Sequence, residues 1–149
     1  GKILKNRYIL LSIQPRYVKE MVAGIKKFEF RKKFPDLSRN DINNKIIIYC
    51  SKPTMSIIGS FSVKRQINNN FDLLMSSIKA SNKDIKRFSK YFKNKESCHA
   101  LEIENLNIYS NPLTLQHLRN KYNNFYPGQS YRFLEEKILE DIKTKNTFI

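Results

Sequence analysis

The chain has 149 residues, 40% hydrophobic and 12% aromatic, enough to bury a core and too much for a disordered segment. Its 28 Lys/Arg against 13 Asp/Glu give a formal net charge of +15. The longest apolar run, "YILLSI", falls far short of the ~18 residues of a membrane span. The start is charged (Lys2, Lys5, Arg7) and has no apolar signal segment, so a cytoplasmic location without membrane contact is expected.

In chain order, "RYILLSI" (7–13) reads as a buried first strand. Gln14-Pro15 starts a helix over "PRYVKEMVAG", with Pro15 where helices accept it, Val18, Met21 and Val22 on one face, and Gly24 as C-cap. "KKFEFR" (26–31) alternates as a strand, Lys27, Glu29 and Arg31 on one side and Phe28 and Phe30 on the other. "RNDIN" reads as a loop, "KIIIYC" (45–50) as a β-branched strand ended by "SKP" (51–53), and "SIIGSFSVKRQI" (56–67) as the next strand. Gly59 inside it marks a bulge or a close backbone approach.

Two helices follow, "FDLLMSSIKAS" and "NKDIKRFSKYFKN", the second with an Ile85, Phe88, Phe92 stripe. "CHALEIENLNIY" (98–109) alternates again, and Pro112 is read as opening a short helix over 114–121. "YPGQSYRFL" makes a turn into a last short strand, and "LEEKILEDI" closes the chain as a helix. With no internal repeat or linker, residues 1–149 are expected to form a single α+β domain, a small barrel of mostly antiparallel strands with inserted and flanking helices. Ligands of such barrels go to the cleft where strand ends and inserted helices meet.

The charge is unevenly spread. Residues 1–99 carry 22 Lys/Arg against 7 Asp/Glu, and residues 100–149 carry 6 against 6. A one-signed field on part of a domain concentrates polyanions, of which nucleic acid is the commonest. A Lys-, Asn- and Ile-rich composition ("INNNF", "DINNKIII") offers a purely compositional alternative. Cys50 and Cys98 fit neither a CxxC nor a His-paired pattern and are expected as buried free thiols. With only His99 and His117 beside them, no metal site and no cofactor are expected. The two histidines read as ordinary strand and helix residues.

The stretch "GIKKFEFR" concentrates chemistry. Glu29 and Arg31 share a face of the strand, while Lys26 has the other parity but precedes the strand, where a turn can re-aim it. Glu29, flanked by Lys26, Lys27, Arg31, Lys32 and Lys33, should stay ionised. Either it pairs with Lys26 or Arg31 and orders the strand, or the three face a pocket that grips phosphate or a carbonyl while Glu29 accepts a hydrogen bond from a base edge or a water.

"LSIQPRYVKEMVAGIKKFEFRKKFP" resembles the start of ASCH domains, members of the PUA-like superfamily, whose Gly-x-Lys-x-x-Glu-x-Arg signature is met by Gly24, Lys26, Glu29 and Arg31. "IIIYCSKPTMSIIGSFSV" and "YPGQSYRFL" resemble the family's downstream elements, so the likeness covers nearly the whole chain. It implies a PUA-like small β-barrel with inserted and flanking helices and a cleft lined by all three stretches. By kinship it also implies binding of RNA or a modified nucleotide, with DNA a further possibility. The ligand-binding candidates are then Lys26, Glu29, Arg31, Ser51, Lys52, Gln129, Ser130 and Arg132, with Tyr126, Tyr131 and Phe133 as stacking surfaces.

The alternative implied by the resemblance is a small hydrolase. Some family members remove the acyl group of N4-acetylcytidine with a Lys and a Thr of this motif plus a distant Glu. The Lys falls on Lys26, but the Thr position is Glu29 here, and Asp72 and Asp84 do not match the distant acid. As an enzyme, this chain would use Glu29 as base on water and Lys26 to polarise a carbonyl. Other members are ribonucleases, and no His pair makes that chemistry evident here. A third option is an interaction module whose basic face meets an acidic protein.

Overall fold

The structure is a computed structural model, and it describes residues 6–95 and 97–148. The basic start at Lys2 and Lys5 lies outside the described residues. The elements run β1 (Arg7–Ile13), α1 (Pro15–Val22), β2 (Phe28–Arg31), β3 (Ile42–Cys50), β4 (Ser56–Asn69), α2 (Phe71–Ser77), α3 (Asn82–Tyr91), β5 (Cys98–Thr114), α4 (Leu115–Lys121), β6 (Tyr131–Phe133) and α5 (Glu136–Lys145). The strands form one mixed sheet, order β2-β5-β4-β3-β1-β6, curled into a half-barrel. Its β1–β3 pair is parallel and its other pairs are antiparallel. Among the described residues no helix is long and apolar enough to cross a membrane.

Local chemistry sets the helix starts. Pro15 occupies the first turn of α1, where its missing N–H costs nothing. Asn70 accepts from Leu73 N, Ser81 from Asp84 N and Thr114 from His117 N, capping α2, α3 and α4. After α1 the chain turns through Gly24 at φ 74°, a conformation glycine adopts without steric cost.

Several boundaries differ from the sequence reading, each for a tertiary reason. β2 spans only Phe28–Arg31, because Ile25 N and Lys26 N both donate to Glu20 O and keep that segment turned back on α1. β3 begins at Ile42, inside the expected "RNDIN" loop, with Ile42 buried in the core and Arg7 paired opposite it on β1. β5 continues through Pro112 to Thr114, so Pro112 does not open α4. It falls where the β4–β5 register shifts, between the Gly59↔Ile108 and Ile57↔Leu113 pairs, at a bulge that needs no ladder donor. Gly59 sits at that shift, and a Cβ there would lie 2.3 Å from Asn107 O.

Three buried clusters share the sheet. Ile9, Leu11, Ile46, Ile48, Phe61 and Leu101 fill the inside of the curl beneath Val18 and Met21 of α1. Leu10, Ile47, Ile57 and Leu113 pack on the opposite face against Leu118 of α4 and Ile138 and Ile142 of α5. Phe30, Cys98 and Ala100 pack against Leu74, Met75 and Phe92, with Ile85 and Phe88 half-buried beside them. Cys50 and Cys98 are both buried and free.

Candidate functional site

A cavity of about 850 Å³ opens where the ends of β1, β2 and β3 meet α1, α3, α4 and the loop before β6. Its floor is the "GIKKFEFR" stretch. The turn after Gly24 swings Lys26 around, so Lys26 Nζ lies 3.4 Å from Glu29 Oε1 despite its opposite parity. Arg31 Nη2 lies 3.4 Å from Glu29 Oε2, and Glu29 Oε1 also accepts from Phe30 N at 3.2 Å. All three side chains are largely buried, at 10%, 7% and 14% exposure for Lys26, Glu29 and Arg31. Both oxygens of the carboxylate are therefore taken. Glu29 aligns two cations at the cavity floor, and one positive charge of the trio stays unbalanced.

Arg31 does more than balance charge. Its Nη2 donates to Ser12 O at 2.7 Å, tying edge strand β2 to the end of β1 across the open side of the curl. Its Nε is buried and has no hydrogen-bond partner.

A second wall is the β3–β4 turn, which contains the cis Lys52–Pro53 bond. Ser51 N donates to Ile13 O, placing Ser51 and Lys52 beside the end of β1, and both line the cavity. The third wall is the Pro127–Gln129 segment, held by Ser12 Oγ donating to Gly128 O at 2.8 Å. Gln129 lines the cavity, whereas Ser130 and Arg132 do not. Ser130 contributes its carbonyl to Ser12 N, and Arg132 is turned to Tyr126 O, Phe133 O and Glu135. Of the expected stacking residues, Tyr131 packs on Phe34 and Phe133 within the core, and Tyr126 is exposed beneath Arg132.

The remaining walls come from α1, β3, α3 and α4, outside the Gly24–Arg31 stretch. Arg87, Phe88 and Tyr91 of α3, Arg119 of α4, Tyr17 of α1 and Tyr49 of β3 all line the cavity. Phe88 stacks on Phe30 at 4.2 Å, and Tyr91 Oη donates to Phe30 O, which seats α3 over β2. Tyr17 is ringed by Arg16, Lys26 and Arg87, at 4.6, 5.2 and 5.6 Å from its ring centre. Its hydroxyl accepts from Arg16 Nη2 at 2.8 Å, and its nearness to Arg87 holds that guanidinium even more firmly charged than usual. Burial pushes the Tyr49 and Tyr91 phenols up, against the pull of Arg119 on the first and Arg31 on the second, so both are neutral at the site, the Tyr91 O–H already given to Phe30 O.

Sequence reasoning missed Tyr17, Tyr49, Arg87, Tyr91 and Arg119. The one available signal was the i, i+4 spacing of Arg87 and Tyr91, off the apolar stripe of the same helix. Lined by the cations Lys26, Arg31, Lys52, Arg87 and Arg119 and by flat rings, the cavity can hold a group that is anionic at one end and planar at the other. Among the described residues, no cluster of three or more His, Cys, Asp or Glu is placed to hold a metal ion. Outside the cavity, His117 and Lys121 of α4 and Lys145 of α5 surround the buried Asp141, joining the two helices.

Comparison with known proteins adds to this geometry. The family model described as ASCH domain matches residues 11–107. An ASCH domain-containing ribonuclease of Zymomonas mobilis subsp. mobilis is 25% identical over 129 residues, covering 86% of this chain and 84% of that protein. The crystal structure of ASCH from Zymomonas mobilis superposes with a TM-score of 0.76 at 23% identity, covering 94% of this chain and 96% of that one. The N-terminal domain of Staphylothermus marinus McrB superposes with a TM-score of 0.60 at 14% identity, covering 98% and 100%. These two structural likenesses carry the fold alone.

Proposed function

The chain belongs to the ASCH domain family, and we propose that its cavity binds single-stranded RNA or a modified nucleotide. The observation that carries this reading is the convergence of Lys26, Arg31, Lys52, Arg87 and Arg119 with Tyr17, Tyr49 and Tyr91 around one buried carboxylate. Cations hold phosphate, aromatic rings stack on a base, and amide or carbonyl groups such as Gln129 read its edge. Lys52, Arg87 and Arg119 serve as the phosphate contacts, and the Lys26–Glu29–Arg31 trio forms a charged floor. The Arg31 Nε, buried without a partner, is a donor waiting for a ligand acceptor.

A second reading, RNA cleavage, is favoured by one observation: the Zymomonas mobilis relative is named a ribonuclease. In that reading the clustered cations stabilise charge on the phosphoryl oxygens as it develops, and Glu29 positions Lys26 and Arg31.

Fluorescence anisotropy with single-stranded RNA, duplex RNA, single-stranded DNA and modified nucleosides, at several salt concentrations, tests the proposal. The same samples are checked for cleaved RNA and, with N4-acetylcytidine, for released acetate. Tightest binding to single-stranded RNA or one modified nucleoside, weakening with salt, supports it. Equal affinity at low and moderate salt, with no preference among ligands, overturns it.

A further inference from the structure

We infer that a second, smaller pocket, formed by Phe34, Asp36, Gln66, Asn68 and His99, reads the base of a neighbouring nucleotide while the larger cavity holds the first. This inference rests on the RNA reading above. The pocket measures about 210 Å³, room for one flat heterocycle. His99 is only 8% exposed, and its Nδ1 is buried without a hydrogen-bond partner. A native structure rarely leaves such an atom unpaired unless a ligand or water completes it.

The other polar groups are positioned and partly unspent. Gln66 accepts from Leu37 N and donates to Pro35 O, both at 2.9 Å, which fixes its amide and leaves one N–H over. Asp36 takes Ser38 N and Ser38 Oγ on Oδ1, leaving Oδ2 unclaimed. Asn68 accepts from Ser97 Oγ through Oδ1, leaving its NH2. The buried ring of Phe34 supplies a flat wall. The single charged group at this pocket is a carboxylate, which repels phosphate. Alternating donors and acceptors beside an aromatic ring suit the edge of a base instead. Burial also keeps His99 neutral, one nitrogen donating and the other accepting.

The two pockets are neighbours along the chain and across the sheet. Arg31 lines the larger cavity, and His99 is its direct partner in the β2–β5 ladder, so both project from one face. From Arg31 the chain runs through exposed Lys32 and Lys33 to Phe34, and the Lys32 ammonium lies over the Tyr91 ring of the larger cavity's wall, so a cation stands beside the cavity next to the chain that leads to the smaller pocket.

The test is a length series of RNA, from mononucleotide to trinucleotide, measured by calorimetry with the wild type, Asn68→Ala and His99→Phe. Asn68 is exposed, so its variant keeps the fold even if His99→Phe does not. A control oligomer carries an abasic sugar beside the first nucleotide. The expected result is a gain of about tenfold in affinity on adding the second or third nucleotide. That gain disappears in both variants and in the abasic oligomer, while mononucleotide affinity is unchanged. If mononucleotide binds but length brings no gain, or the gain survives in the abasic oligomer or in Asn68→Ala, the small pocket holds only water. The larger cavity's role then stands. If neither mononucleotide nor oligomer binds, the RNA reading itself fails and this inference with it.

Discussion

The Arg31 guanidinium reaches 2.7 Å from the Ser12 carbonyl, so one side chain of the β2 edge closes the curl onto the end of β1 while ion-pairing with buried Glu29. Arg31 is thus both cavity floor and structural tie. Arg31→Ala leaves Glu29 with Lys26 alone and strips Ser12 O of a donor. Removing one partner of a buried, hydrogen-bonded ion pair costs about 3–5 kcal/mol. A urea midpoint lowered accordingly is expected, with Arg31→Lys recovering only part of it because the shorter lysine does not carry its ammonium to the Nη2 position that Glu29 and Ser12 O share. An unchanged midpoint would show that Arg31 is held for ligand alone.

Lys52, Arg87 and Arg119 lie on exposed parts of the cavity wall, away from the buried trio. Replacing each with Ala is expected to leave stability within about 0.5 kcal/mol. Affinity for single-stranded RNA should drop, and the slope of log K against log salt should become shallower by about 0.7 for each phosphate no longer neutralised. Anisotropy titrations at four salt concentrations read both. Variants that keep the wild-type slope would remove these residues from the phosphate-binding set.

Tyr17, ringed by three cations at the cavity wall, is the favoured stacking platform. Tyr17→Leu keeps apolar bulk but loses the π face, so affinity for a base-containing ligand should fall by about 1–3 kcal/mol. Inorganic phosphate, which has no base, should bind the variant as it binds the wild type. An equal loss for both ligands would mean that Tyr17 acts by holding Arg87 and not by stacking.

Asp141 provides a pH-dependent prediction remote from the cavity. Burial pushes its carboxyl up, but hydrogen bonds from His117, Lys145, Tyr122 and Lys121 outweigh burial and hold it well below the usual carboxylate range. A depressed folded-state pKa gives stability that is fully present above the unfolded value, about 3.9, and is lost as pH falls toward the folded one. Asp141→Asn is therefore expected to be much less stable than wild type at pH 7. The gap should narrow steadily below about pH 4, as followed by thermal unfolding across the series. A gap independent of pH would assign Asp141 a packing role only.

Gly59→Ala tests the bulge that lets β4 and β5 cross closely. The new Cβ would meet Asn107 O at 2.3 Å, a main-chain atom that cannot swing aside. Overpacking of this kind costs about 1–3 kcal/mol, read from the denaturation midpoint. A neutral outcome would mean that the two strands separate there at little cost.

Much of this architecture was legible in the sequence because its signals are local. The β-branched run "KIIIYC", the alternation in "KKFEFR" and the Pro15 and Gly24 punctuation put β3, β2 and α1 at nearly their right places. The errors fell where long-range pairing overrode propensity. Ile42, Asn43 and Asn44 were drawn into β3 because Ile42 completes a buried cluster, and Pro112 was tolerated in β5 because the bulge leaves it no donor to supply. At the cavity, Lys26, Glu29 and Arg31, with Gly24 as the turn before them, could be singled out together because one short stretch contains them. Ser51, Lys52 and Gln129 came from the family resemblance, whereas Tyr17, Tyr49, Arg87, Tyr91 and Arg119 were not singled out.

The sequence by itself determined the order of strands and helices, the cationic first two thirds, and a Gly-x-Lys-x-x-Glu-x-Arg stretch in which a turn after Gly24 could re-aim Lys26; the structure decided that Lys26 does meet Glu29. Only the tertiary structure decided that Arg87 and Tyr91 of α3 and Arg119 of α4 complete that motif's cavity. It also decided that Arg31 closes the curl and that His99 is stranded in a second pocket. Tyr91 meets Phe30 across 61 residues of chain. Such convergence depends on how far the whole sheet curls, a sum of twists, bulges and packed faces that no single stretch of sequence carries.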